Sequence, residues 1–170
     1  VGETEANRIS KEATTVGTKL HSLMETLLKN KWDSTPFDPE LVFRFQKIRS
    51  FLETDIDELL GSELSVFSDS LGSAGTTDLV YRDKQNRIVV ADLKTSRNLK
   101  KREYIQDYFL QLTAYAICLF EQFKIEPEVG LILMSIPDGS YFKFYVDPMD
   151  YSDALYQRVK LFNSLMKSKE

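Results

Sequence analysis

The sequence predicts an α/β fold in which helices flank a central mixed β-sheet, and three observations lead to this prediction. Helical and strand-like hydrophobic patterns succeed one another along the chain. An apolar run, Ile88-Val89-Val90-Ala91, has the composition of a buried strand. The 170 residues are 42% hydrophobic and 28% charged, as in an ordinary globular protein. We therefore expect residues 1–170 to form a single domain with a substantial core.

The first part of the chain is predicted to be helical after an irregular start. Residues 1–13 are polar and are expected to form a loose lead-in. Thr14 or Thr15 can cap a helix whose apolar residues recur at helical spacing as far as Leu28. A second helix is predicted over 39–53.

The pattern then changes to strands. Alternating and apolar runs predict strands over 63–67, 76–82, 87–94, 128–136 and 141–146. A long helix, apolar nearly all round and therefore buried, is predicted over 104–123, and an amphipathic helix over 150–167.

The loop between the second and third strands sets which residues face each other. If it has three or five residues centred on Gln85, the numbers of paired residues add to 170, and Asp78 lies opposite Asp92 with Cβ atoms roughly 5 Å apart. A loop of even length would place the two aspartates on opposite faces. Because facing like charges destabilise a sheet, the first pairing makes sense chiefly around a cation.

Several polar residues are predicted to converge near the end of the third strand. Asp92 and Lys94 share one face of it, and a carboxylate and an ammonium there are costly to desolvate without partners. His21 and Glu25 lie one turn apart on the first helix, and Glu63 lies on the first strand. Oxygen ligands suit Mg²⁺ or Mn²⁺, and an imidazole favours Mn²⁺. A lysine that orients water beside such a metal favours phosphodiester hydrolysis.

Five segments of the chain follow one another in the order found in a known family of nucleases. The chain resembles the PD-(D/E)XK nuclease superfamily in its RecB-like exonuclease branch, and is similar to mitochondrial genome maintenance exonucleases and related phage exonucleases. The predicted elements also match the family's restriction-endonuclease-like αβββαβ core. The proline of the family motif is replaced by Thr77. The segments are Gly17-Thr18-Lys19-Leu20-His21 with Glu25, then Glu63, Gly75-Thr76-Thr77-Asp78, Asp92-Leu93-Lys94-Thr95-Ser96 and Gln111-Leu112-Thr113-Ala114-Tyr115.

The resemblance implies a metal-dependent DNA exonuclease that prefers single-stranded DNA with a free end, using one or two Mg²⁺ or Mn²⁺ ions. Lys94 would be the catalytic lysine. The metal ligands would be Asp78, Asp92 and the Leu93 carbonyl, with His21 as a further ligand or phosphate contact and Glu63 completing a metal or water shell.

The resemblance also implies which residues hold the DNA. Gln111 and Tyr115 would support the lysine or bind the DNA backbone, and Glu25 would support the site. Residues after the third strand could contact phosphates. These are Thr95, Ser96, Arg97 and Lys100.

Two other functions fit the same residues. The first is an endonuclease of the same superfamily, and the second is a catalytically silent DNA-binding module that keeps the fold. Taken singly, each residue also has a structural explanation: Asp92 and Lys94 could form a plain ion pair, and His21 could be a hydrogen-bonded structural residue. Their joint order favours the catalytic interpretation.

Composition argues against several other classes of protein. One cysteine, Cys118, excludes an internal disulfide and argues against an iron–sulfur cluster, and it fits a reducing intracellular compartment such as the cytoplasm, the mitochondrial matrix or a phage-infected cell. No apolar run approaches the roughly 18 residues that span a bilayer. A net charge of -4 argues against a general nucleic-acid coat protein. Because the chain begins at Val1, we expect that an upstream segment was trimmed.

Overall fold

The computed structural model describes residues 3–29, 34 and 36–167. No helix among these residues is long and apolar enough to cross a bilayer. The helices are α1 (Glu3–Leu28), α2 (Pro39–Asp55), α3 (Gln106–Phe123) and α4 (Ser152–Lys167), with short 3-10 helices at Arg102–Tyr104 and Pro148–Tyr151. The strands are β1 (Ile56–Ser68), β2 (Ser73–Asp83), β3 (Ile88–Thr95), β4 (Val129–Ser135) and β5 (Tyr141–Val146).

The five strands form one mixed sheet in the order β1-β2-β3-β4-β5. Strands β3 and β4 are parallel, and the other neighbouring pairs are antiparallel. A parallel pair needs a long crossover connection, which the segment containing α3 supplies. The mixed sheet and the element order confirm the predicted fold.

Alternation along the central strands sends side chains into two separate cores. One face of β2 and β3 packs against α1 and α2, and the other packs against α3. Helix α4 covers the outer side of α3 through a smaller cluster. Strand β3 is therefore buried on both faces, as expected for a strand with a parallel neighbour.

The β2–β3 hairpin has the predicted register. Paired residues such as Leu79 with Ala91 and Val80 with Val90 have numbers that add to 170. The turn spans 84–86, with the N–H of Asp83 donating to the carbonyl of Arg87 over 2.9 Å. Asp78 and Asp92 are the next positions outward from the last paired residues.

The predicted lead-in is wrong, because α1 already begins at Glu3. Ion pairs along its exposed face, from Arg8 to Glu5 and Glu12, stabilise this polar first part as a helix. The predicted caps are wrong for the same reason. Thr15 lies inside the helix, where its hydroxyl donates to the carbonyl of Lys11 over 2.9 Å.

Two other boundaries differ from the prediction. Strand β1 begins at Ile56, directly after α2, and two irregularities in its register with β2 interrupt the alternation that reveals a strand in sequence. Helix α3 begins at Gln106, because the residues just before it form a separate 3-10 turn.

Candidate active site

A chain of contacts holds Lys94 against Asp92 on the α3 side of β3. The Lys94 ammonium lies 2.7 Å from Asp92 Oδ2 and donates a hydrogen bond to Gln111 Oε1 over 2.9 Å. The Gln111 amide donates in turn to the Tyr115 hydroxyl over 2.6 Å. Gln111 and Tyr115 thus occupy the positions at which the resemblance expects support for the lysine. Their roles in a reaction stay predictions.

Gly75 explains how Tyr115 reaches this position. A Cβ atom at Gly75 would lie only 3.0 Å from Tyr115 Cε1, which is tighter than nearly all real contacts. The missing side chain lets the ring lie against β2 with its hydroxyl toward Gln111. Burial raises the pKa of the Tyr115 hydroxyl to about 12, so it remains a neutral hydrogen-bonding group.

A second set of contacts gathers around His21, near the same end of β3. The His21 Nδ1 atom lies 3.2 Å from Asp78 Oδ1 and 3.7 Å from Glu63 Oε1. Its Nε2 atom lies 2.9 Å from the Leu93 carbonyl oxygen. Asp78 Oδ2 accepts a hydrogen bond from the Leu93 N–H over 2.7 Å, which fixes this carboxylate on the edge of β3.

Glu63 reaches this cluster from an unusual backbone conformation. Its φ angle is 48°, in the left-handed region that a residue with a side chain adopts only at a cost of roughly 1–3 kcal/mol. It lies on β1 between residues that pair with Leu79 and Thr77, so its counterpart on β2 is Asp78. Such strain persists where the surrounding structure imposes it, and here it accompanies a carboxylate close to His21 and Asp78.

The carboxylates of the site repel one another electrostatically. Burial, followed by the charge of Asp78, raises the pKa of Asp92 to about 6. The same two causes raise the pKa of Glu63. The hydrogen bond with Asp78 outweighs burial and raises the pKa of His21 to about 9. The region therefore favours added positive charge, which the protonated imidazole supplies in part.

The donor set fits a divalent cation. Ligand atoms of His21, Glu63 and Asp78 lie within 4.8 Å of one another, a single such group among the residues that the structure describes. Asp92 lies outside this group, and its buried Oδ2 lies 2.7 Å from the Lys94 ammonium. Converging carboxylate oxygens and an imidazole nitrogen are donors that suit Mg²⁺ or Mn²⁺.

The predicted supporting residue Glu25 and the other predicted DNA contacts lie around this centre without joining it. Glu25 is paired with Lys29, and its charge acts on Glu63 from a distance. Ser96 donates to the carbonyl of Asn98 over 2.6 Å, which shapes the loop after β3. Thr95 is half-buried at the end of β3. The exposed Arg97 lies 3.9 Å from Glu12, and Lys100 donates to the Tyr108 hydroxyl over 3.0 Å.

Sequence reasoning missed Tyr108 as part of the site. Its ring centroid lies 5.2 Å from the ammonium of Lys94 and 5.3 Å from that of Lys100, so one ring contacts both cations. Its position three residues before Gln111 places the two on one helix face, and this spacing could have revealed it.

Comparisons with known proteins define the fold first. The solved structure of a "Putative exonuclease" from Eubacterium rectale superposes with a TM-score of 0.58 at 12% identity, over 86% of this chain and 64% of that chain. The present chain thus spans less than two thirds of that protein, and at this identity the likeness concerns the fold alone. A structure named SSO0001 superposes with a TM-score of 0.39 at 18% identity, over 88% of this chain and 69% of that one, which adds nothing to the fold assignment.

A family match then identifies the chain. A sequence model of the PD-(D/E)XK nuclease superfamily matches residues 3–162, nearly the whole chain. The protein belongs to the PD-(D/E)XK nuclease superfamily. A search of curated proteins finds no significant match.

Proposed function

We propose that this protein is a metal-dependent deoxyribonuclease that degrades single-stranded DNA from a free end. Membership in the nuclease superfamily supports hydrolysis of phosphodiester bonds. The observation that carries the proposal is the Lys94 ammonium, held between Asp92 and Gln111 near the His21, Glu63 and Asp78 cluster. The exonuclease activity and the preference for single strands rest on the sequence resemblance.

The cation would be held by Asp78 and Glu63, with His21, Asp92 and the Leu93 carbonyl as further ligands. When bound, Mg²⁺ or Mn²⁺ lowers the pKa of a coordinated water and stabilises the charge that grows on the phosphate. His21 can serve as a ligand only after one ring nitrogen releases its proton, because both now face oxygen atoms.

The protein's own side chains would position the reactants. Lys94 is an ammonium with three donors, so while two contacts hold it in place it can direct a proton toward an attacking water or a phosphate oxygen. Gln111 and Tyr115 fix the direction of the lysine. Tyr108 lies against the same ammonium and against Lys100, and so joins the centre to the basic segment that follows β3.

Incubation with matched linear and circular single-stranded DNA, in Mg²⁺, in Mn²⁺ and in excess chelator, tests the proposal. We expect metal-dependent release of short products from the linear strand, while the circle stays intact. Cutting of the circle would identify an endonuclease instead. Binding of DNA without hydrolysis under every metal condition would identify a silent DNA-binding module.

A further inference from the structure

Arg44 on α2 is a buried arginine. The residue is only 6% exposed. Its Nη2 donates to the Ser135 carbonyl over 3.1 Å, and its Nε lies 3.4 Å from the Ser135 hydroxyl. No described carboxylate forms an ion pair with it, and Glu40 and Asp138 act on it only from a distance. A guanidinium keeps its charge even when buried, so this residue places a positive charge inside the protein that, among the described carboxylates, only distant ones offset.

The arginine lines a small cavity at the carboxyl ends of β3 and β4. The cavity has a volume of about 180 Å³ and is bordered by Thr95 at the end of β3, by Ser96 and Arg97 after it, and by Pro137 after β4. Ser135, the partner of Arg44, pairs with Thr95 in the parallel β3–β4 ladder. Ligands of α/β proteins commonly bind outside the carboxyl ends of parallel strands.

The cavity lies next to the candidate active site but on the opposite side of the sheet. Lys94 faces α3, whereas Thr95, the next residue, borders the cavity together with residues of α1 such as Val16. A strand of DNA that binds at Lys94 and continues past the carboxyl end of β3 would bring a further phosphate to this cavity.

We infer that Arg44, with the segment 95–97, forms a binding site for one phosphate group of the DNA substrate, on the α1 and α2 side of the sheet. The inference rests on the proposed nuclease function. Arginine donors suit phosphate because the guanidinium offers several N–H groups in one plane. Two of its nitrogens already contact Ser135, which fixes the plane and leaves Nη1 without a hydrogen bond among the described residues.

One residue of the cavity opposes anion binding. Glu12 borders the cavity from α1, where it pairs with Arg8 and lies 3.9 Å from Arg97. Its carboxylate reduces the positive charge that a phosphate would meet. Glu12 is exposed on a helix, so its replacement by glutamine changes the charge of the cavity with little risk to folding.

The decisive experiment measures kcat and KM on three linear single-stranded oligonucleotides of one sequence, with a 5′-phosphate, a 3′-phosphate or neither. We expect Arg44→Gln to raise KM roughly 10- to 100-fold with little change in kcat, as loss of charge-assisted hydrogen bonds predicts. A rise confined to one phosphorylated substrate identifies that terminal phosphate as the ligand, and an equal rise on all three identifies an internal phosphate.

Two further variants separate a binding role from a structural one. Arg49→Gln removes an arginine of the same helix that pairs with Glu53, and it should leave KM unchanged. Glu12→Gln should lower KM roughly 2- to 5-fold, the effect of one partly screened charge. Arg44→Lys, which keeps the charge and loses the planar donors, should fall between wild type and Arg44→Gln.

Unchanged KM values on all three substrates for a folded Arg44→Gln variant would overturn the inference while leaving the nuclease intact. If Arg44→Gln does not fold, the decision passes to Glu12→Gln, and an unchanged KM there counts against the site. If the wild-type protein hydrolyses no DNA, the proposed function fails by itself. Thermal unfolding of the metal-free protein with inorganic phosphate then decides: stabilisation that increases in Glu12→Gln supports the site, and no stabilisation rejects it.

Discussion

The two ends of the β2–β3 hairpin each hold a carboxylate, and folding shifts the pKa values of these two carboxylates in opposite directions. At the turn, Asp83 accepts hydrogen bonds from the N–H groups of Gln85 and Arg87 over 2.9 and 2.8 Å, and its other oxygen accepts one from the Arg87 guanidinium. Burial alone would raise its pKa, but the contacts with Arg87 outweigh burial and lower it. At the other end, the pKa of Asp92 is raised, and the one contact of its buried Oδ2 among the described residues is with the Lys94 ammonium, over 2.7 Å.

This contrast separates a carboxylate that the protein satisfies from one that is a candidate ligand. Both acids are almost inaccessible to solvent, at 2% exposure each, although Asp83 lies in a turn near the surface and Asp92 deep between the packed layers, and their partners also differ. Asp83 is satisfied by protein groups alone, whereas Asp92 faces like charge and one ammonium. A buried group that the protein leaves incompletely satisfied is a candidate for a functional role.

The largest expected effect is on hydrolysis. Replacing Lys94 by methionine removes the ammonium but keeps much of the side-chain length. We expect kcat on linear DNA to fall roughly 10²- to 10⁴-fold, the usual contribution of a positioned proton donor or acceptor. Lys84→Met is the matched control, because Lys84 lies in the turn at the other end of the hairpin and pairs with Asp57 on the surface. Equal activity of the two variants would contradict the role of Lys94.

The next effect is on stability at the turn. Asp83→Asn keeps the shape of the side chain but removes the charge that holds the Arg87 guanidinium. We expect the free energy of unfolding to decrease by about 1–3 kcal/mol, with the metal-dependent activity retained. Denaturant titration at pH 7 measures this change. Because the pKa of Asp83 is lowered on folding, the difference from wild type should shrink as the pH falls below the ordinary carboxyl range.

Replacing aspartate by asparagine at the other end of the hairpin should change the free energy of unfolding in the opposite direction. Asp92→Asn should increase the free energy of unfolding of the chelator-treated protein at pH 7 to 8 by on the order of 1 kcal/mol, because it removes a repelled, desolvated charge. Its hydrolytic activity should be lost. A destabilised Asp92→Asn variant would show that the ion pair with Lys94 contributes more than the repulsion costs.

The pH dependence of the stability of Asp92→Asn provides a further test of the difference between Asp83 and Asp92. The folded protein retains a proton on Asp92 up to a pKa of about 6, whereas the unfolded chain releases it near the ordinary value of 3.8. Wild-type stability should therefore fall as the pH rises between these two values, and the stabilisation by Asp92→Asn should grow across the same interval. Denaturant titrations of both metal-free proteins at several pH values measure this difference. A difference that stays constant with pH would contradict the raised pKa.

The smallest effect concerns Thr77, beside Asp78 on β2. Its hydroxyl is fully buried and has no hydrogen bond among the described residues. Thr77→Val should stabilise the protein by about 1 kcal/mol, because it removes an unsatisfied polar atom at nearly constant shape. Thr113 is equally buried, but its hydroxyl contacts the carbonyl oxygens of Phe109 and Pro148. Thr113→Val should therefore destabilise, and thermal unfolding of both variants compares them.

Local patterns predicted the fold and much of the site. Alternation along 88–94 placed Asp92 and Lys94 on one face, and the short turn fixed the register with β2. These predictions succeeded because strand period and hairpin register are local properties. The αβββαβ order followed from the same patterns together with the family resemblance.

Other features of the fold and the candidate site depend on contacts between distant segments, which cannot be predicted from local patterns in a single sequence. No local signal marks the left-handed backbone of Glu63, and helical spacing places Tyr108 beside Gln111 without showing its contact with two lysines. Arg44 is an ordinary surface-type residue on a helix until the fold buries it against Ser135. The early start of α1 was missed because its charged residues resemble an irregular segment, although their spacing of three and four residues is helical.

The central position of β3 divides the site into parts of unequal local stability. Asp92 and Lys94 stand on a strand bonded along its length to β4 and enclosed by packed layers, where amide hydrogens exchange only in rare, large openings. His21 comes from a helix on one flank, and Glu63 from an edge strand with an irregular ladder. Local unfolding of the flanking helix or of the edge strand would therefore move His21 or Glu63 away while Lys94 and Asp92 stay in place. Such fluctuations would change the number of proposed metal ligands at the site while the central sheet remains folded.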